Sequence, residues 1–234
     1  MKKIGIACIV FLLHAWAVSA QSFDIEVLRN TDGGLSRGRM ENGQKAGLWV
    51  TYDQHSTPRR FEEYKNGVRH GYFVENDEQG HPFMEGWFFE GRPVGKHIVF
   101  AHGTLLKEMD FDSSTVKEFY ENSVLKKSGK IKDGEPDGKV MQYYETGKVL
   151  SENNYVAGKK SGTQKYYYQN GRLQAEYQMV NDMLTGPYKD YHANGQVSSE
   201  GMYENNMKQG LWKEYDETGK LVRQVKYKND VEVK

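Results

Sequence analysis

The stretch GTQKYYYQNGRLQAEYQMVNDMLT (Gly162–Thr185) is followed at once by GPYKDYHANGQVSSEGMYENNMKQ (Gly186–Gln209). The two segments share a length of 24 residues, an opening Gly, a Tyr five residues later and an Asn-Gly pair further on. Working outward from them, the same opening position recurs at Gly47, Gly71, Gly95, Gly138 and Gly210, with Ser114 in one divergent unit. The intervals along the chain are 24, 24, 19, 24, 24, 24 and 24. Regular self-similarity at this period is the signature of a repeat architecture. A leading partial unit spans about residues 21–46 and the array spans 47–234, with units starting near 47, 71, 95, 114, 138, 162, 186 and 210.

Three positions define the unit. Five residues past the opening residue stand Tyr52, Asn76, Phe100, Phe119, Tyr143, Tyr167, Tyr191 and Tyr215. Seventeen past, outside the short unit, stand Tyr64, Phe88, Ile131, Tyr155, Met179, Tyr203 and Tyr227. Twenty past stand Gly67, Gly91, Gly134, Gly158, Asp182, Asn206 and Asp230, residue types that tolerate positive φ. A second turn is marked by Gly147, Gly171, Gly195 and Gly219. Two short runs rich in Tyr, Phe, Val and Thr, bounded by turns, predict one β-hairpin per unit. No 3.6-residue apolar period survives Gly at two places in every unit, so helix is excluded. The expected fold is all-β, with tandem hairpins stacked into an elongated twisted antiparallel sheet of roughly 75 Å. The 19-residue unit, Gly95–Ser113, lacks the second turn glycine and five residues of its second arm, which predicts a kink or altered twist there.

Composition agrees with this reading. The chain has 234 residues, 32 basic and 32 acidic side chains, 16 Tyr, 25 Gly and a mean hydropathy of −0.81. Abundant aromatics argue against disorder, and balanced charge removes the electrostatic case for nucleic acid. Lys2 and Lys3, the apolar run Ile4–Val18 and the small residues Val18-Ser19-Ala20 read as a signal peptide over residues 1–20, cleaved before Gln21. The one cysteine, Cys8, falls in that segment, so the mature chain would hold no disulfide and no thiolate metal site. The location expected is secreted or periplasmic.

FEEYKNGVRHGYF (Phe61–Phe73) and MEGWFFEGRPVG (Met84–Gly95) resemble MORN repeats. Later units such as SENNYVAGKKSG (Ser151–Gly162) keep the closing Gly but lose the Tyr-x-Gly-x-Trp motif. They are more similar to the MORN-repeat variant of bacterial exported proteins. The resemblance covers about Gly33 to Asn229. It implies hairpin repeats, and family labels for such proteins mention an antitoxin component or membrane binding, neither of which any residue quoted carries.

Searches for chemistry end without a site. No Gly-x-Ser-x-Gly nucleophile turn and no phosphate-loop Gly-x-x-x-x-Gly-Lys occur. His55, His70, His81, His97, His102 and His192 form no His-x-x-x-His pair and read as surface residues. Asp110, Asp112, Ser114 and Glu121 match part of a calcium-loop template, but Thr115 replaces its essential Gly. The chain is therefore expected to be no enzyme and to use no cofactor and no metal. Position five reads as the packing spine. Position six carries rings only in the middle of the array, at Tyr120, Tyr144, Tyr168 and His192. These four form a candidate interaction stripe with steps of about 10 Å, or else cross-strand packing that replaces missing aliphatics. The expected function is an exported scaffold for another protein, with membrane-surface or glycan binding as the alternatives.

Overall fold

The structure is a computed structural model, and it describes residues 25–233. The expected signal peptide, 1–20, lies outside the described residues. Among these there is no helix, and twenty strands form one open sheet in which every pairing is antiparallel. Neighbours in sequence pair throughout, except that Lys159–Lys160 and Gly162–Tyr167 both pair with Val149–Val156 rather than with each other. The first, Ile25–Arg29, pairs with Leu35–Glu41, and the last, Val231–Val233, pairs with Leu221–Lys228. Hairpins are thus stacked in chain order, as the repeat requires.

The turns at position twenty follow the expectation. Asn66-Gly67, Asn181-Asp182 and Asn205-Asn206 all have two successive residues at positive φ, between 49° and 75°. Such pairs match the right-handed twist of the flanking strands. Where the second residue is Asp or Asn, it also reaches back one unit. Asp182 donates its N–H to the Lys160 carbonyl at 2.9 Å, and its Oδ1 accepts from the Lys160 N–H at 2.8 Å. Asn206 makes the same exchange with Leu184.

The opening glycines lie within strands, and the short unit departs from its expectation. Gly47 lies inside strand Gln44–Tyr52 and Gly186 inside Met183–Tyr191, both at positive φ, opposite a break in register on the preceding strand. Each marks a β-bulge, where positive φ favours Gly. This is why most strands run to eight or nine residues rather than six. The short unit is also complete. His102-Gly103 closes its hairpin tightly, and strand Thr104–Asp110 pairs with both Arg92–Ala101 and Thr115–Phe119. The first turn shrinks to two residues and the strand after the second, Thr115–Phe119, to five, yet the pairing runs on without a break.

The core does not follow position five. Burial concentrates two residues past each opening residue, at Trp49, Phe73, His97, Val140, Gln164 and Trp212. Rings at position seventeen pack between them. Phe88 lies 5.1 Å from Phe73 and 5.6 Å from His97, and Tyr203 lies 5.3 Å from Tyr188 and 5.1 Å from Trp212. Lys45 and Lys208 lay their ammonium groups over Trp49 and Trp212, each 4.4 Å from the ring centre. Long basic side chains therefore roof a core only one ring thick. The position-five rings instead end their strands opposite an apolar residue across the turn: Tyr143 with Val149, Tyr167 with Leu173, Tyr191 with Val197.

The bulges leave one more carbonyl to satisfy. Nε1 of Trp49 donates to the Arg39 carbonyl at 3.0 Å, and Nε1 of Trp212 to that of Met202 at 3.2 Å. Nε2 of Gln164 donates to Asn154 at 3.1 Å, and Nε2 of His97 contacts the Trp87 carbonyl at 2.8 Å. Three different residue types do one job, because a buried carbonyl without a donor is costly. His97 is consequently a core residue, 4% exposed, and the reading of it as a surface histidine is overturned.

Candidate functional site: a divided sheet face

Alternation places positions three and fourteen on the face opposite the ring core. Register joins them into one row that crosses the whole sheet. It begins Val27–Arg37–Val50–Phe61–Val74–Glu85–Ile98 and continues Glu108–Lys117–Ser128–Met141. It ends Glu152–Lys165–Glu176–Lys189–Glu200–Lys213. The row thus changes character midway, from apolar to alternating charge.

In the charged half, Lys139 meets Glu152, Lys165 meets Glu176 and Lys189 meets Glu200, each at 3.2 Å. Half-exposed pairs of this kind are worth about 0–1 kcal/mol each. Position-five hydroxyls join the ladder: Tyr167 donates to Glu152 and Tyr215 to Glu200, both at 2.9 Å. The Tyr167 bond, with the Lys139 ammonium, holds the Glu152 carboxyl below the usual range against the opposing effect of burial. Burial and the neighbouring carboxylate push the Tyr167 phenol up to about 12. This half satisfies itself.

The apolar half does not. Leu48, Trp87 and Phe89 are 55%, 52% and 54% exposed beside half-buried Val50, Phe61, Val74 and Ile98. Tyr72 stands opposite Trp87, with ring centres 5.2 Å apart. Two carboxylates bind Tyr72: Glu63 accepts from its N–H at 3.2 Å and Glu85 from its hydroxyl at 2.5 Å. Glu63 also covers Gly71, where a Cβ would meet its Oε2 at 1.9 Å. Sequence reading had quoted Trp87 within a repeat motif without marking it as exposed. Its place at position sixteen, on the outer face, is the signal that alternation supplies once the strand bounds are known.

The four residues proposed as a stripe are brought into line, each opening the turn that follows its strand. Their polar tips are engaged. The hydroxyls of Tyr120, Tyr144 and Tyr168 donate to the carbonyls of Tyr143, Tyr167 and Tyr191 at 2.7, 2.6 and 2.7 Å. Nε2 of His192 contacts the Tyr215 carbonyl at 2.8 Å. Each therefore ties its unit to the next. Where Asp holds the position, it caps its own turn instead: Asp53 accepts from His55 and Thr57, Asp77 from Gln79 and His81, Asp216 from Thr218 and Lys220. The regional pattern of rings thus has a structural use.

A concavity of about 850 Å³ lies among the first turns, lined by polar residues including Asp53, His55, Arg60 and Glu75. Arg60 and Glu75 close on one another at 3.1 Å. Among the described residues, no group of three His, Cys, Asp or Glu side chains is placed to hold a metal ion.

The family model for the MORN repeat variant matches residues 136–157, 160–181, 184–205 and 208–229. These four segments are MORN repeat variants. Each contains the turn marked by Gly147, Gly171, Gly195 or Gly219 and the strands on either side of it. Outside these segments, the units opening at Gly47, Gly71 and Gly95 share the same bulge, whereas the unit opening at Ser114 shows no shift of register. No curated protein matches the chain. MORN repeats are in general motifs of protein and membrane interaction.

Proposed function

We propose that the chain is an exported, non-catalytic MORN-variant scaffold that binds another protein through the apolar half of its divided face. The observation that supports this reading is the exposed cluster of Leu48, Trp87 and Phe89 beside Val50, Phe61, Val74 and Ile98, four apolar members of the row that Glu85 interrupts. Contiguous exposed apolar surface of this kind marks contact sites. Trp and Tyr are also the side chains favoured in the centres of protein interfaces. The charged half, internally paired, keeps the rest of the sheet soluble and offers no net attraction to anionic lipid.

Affinity capture from the envelope of the exporting cell tests the reading, with the wild-type chain set beside Trp87→Ala. A protein held by the first and lost with the second is the expected result. Retention of vesicles or oligosaccharides alone, with no protein, would contradict it.

A further inference from the structure

The carboxylates of Glu63 and Glu85 differ from the others on this face. Glu108, Glu152, Glu176 and Glu200 each have a Lys within 4.0 Å, whereas no Lys, Arg or His lies that close to Glu63 or Glu85 among the described residues. Both are instead anchored on Tyr72, one at its N–H and one at its hydroxyl. The exposed ring of Trp87 stands opposite Tyr72 and two residues from Glu85, while Glu63 lies on the strand on the other side of Tyr72. Two negative charges fixed beside an aromatic face, in apolar surroundings, form a receptor for a cation.

We propose that the apolar half of the face takes a protein segment presenting one Lys or Arg among aliphatic residues, its cation seated against the Tyr72–Trp87 ring pair and met by the carboxylates of Glu63 and Glu85 anchored on Tyr72. This rests on the reading of the face as protein-binding and names the chemistry of the partner. The aliphatic neighbours of the segment lie on Leu48, Val50, Phe61, Val74 and Ile98. A sugar is a poorer fit, because it leaves the charge of both carboxylates unneutralised and meets only apolar side chains beyond them. An anionic lipid is repelled by both carboxylates.

The test uses the full chain and two synthetic peptide libraries of twelve residues. One carries a single Lys or Arg among Leu, Ile and Val; the other has Gln in its place. Capture should favour the cationic library. Glu63→Gln with Glu85→Gln should raise the Kd of a selected peptide about tenfold, and the Gln peptide should show no further loss on that variant. Trp87→Leu, which keeps apolar area but removes the ring, should weaken binding comparably, while Lys189→Gln should leave it unchanged. Thermal unfolding of each variant confirms that it folds. Equal capture of both libraries, capture of neither, or binding indifferent to the Glu and Trp variants would overturn the proposal. An envelope protein still captured by the double Gln variant would remove this site yet leave the scaffold reading standing; loss of all protein binding in the wild type would remove both.

Discussion

The indole of Trp212 fills the space in which a side chain at Gly201 would stand: a Cβ built there lies 2.2 Å from the ring. Gly38 has the same relation to Trp49, and Gly86 to His97, in each case at 2.4 Å. A large ring at position two is thus matched by a missing side chain on the preceding strand. Where the preceding residue is bulky, as at Tyr177, the next unit answers with a ring that stacks, Tyr188 at 5.7 Å. Size complementarity between neighbouring units, more than bulk hydrophobicity, sets the register of the stack.

Gly201→Ala should therefore cost about 1–3 kcal/mol, the usual range for overpacking. Denaturant unfolding would show it as a lower midpoint. An unchanged midpoint would mean that the ring can move aside freely.

Tyr144→Phe and Tyr168→Phe each delete a hydroxyl that donates to the carbonyl of the next unit. Each should lose about 1 kcal/mol, again read from the unfolding midpoint. A row serving only to dock a partner would lose binding and keep its stability.

Asp182→Gly keeps a residue suited to the positive φ of 66° but removes the acceptor for the Lys160 N–H. The expected loss is about 0.5–1.5 kcal/mol, and Asp182→Asn should recover most of it. Hydrogen exchange at Lys160 should speed up in the Gly variant alone.

The Tyr167–Glu152 bond gives stability a defined pH dependence. The Glu152 carboxyl is depressed in the folded chain, so its contribution is present above the ordinary carboxylate range and fades as pH falls through its lowered value. The Tyr167 phenol is raised, so its contribution is whole below about 10, the ordinary value, and is lost as pH rises towards about 12. Glu152→Gln should flatten the acid limb of the stability profile, and Tyr167→Phe should flatten the alkaline limb.

Much of the fold was legible because period and turn chemistry are local. The 24-residue spacing and the Asn-Gly or Asn-Asp pairs at positions nineteen and twenty lead directly to stacked hairpins. The inner and outer faces were harder to read. The bulge at each opening glycine lengthens the strand, so Trp49, Phe73 and Trp212 at position two became the core, while the more uniform Tyr row at position five went to the strand ends. The burial of His97 is not legible in sequence because it depends on a carbonyl of the neighbouring strand, freed by the bulge at Gly95. The divided face was out of reach for the same reason. Glu63, Tyr72, Glu85 and Trp87 meet only through cross-strand register, and nothing in their spacing announces that meeting.

Photo-cross-linking along the row that crosses the sheet tests the divided face most directly. A photoreactive side chain is placed singly at Val50, Val74 and Ile98, then at Ser128, Lys165 and Lys189, and the chain is irradiated in the envelope of the exporting cell. Adducts with one protein from the first three positions and none from the last three are predicted. Adducts spread evenly along the row, or confined to its charged half, would contradict the division.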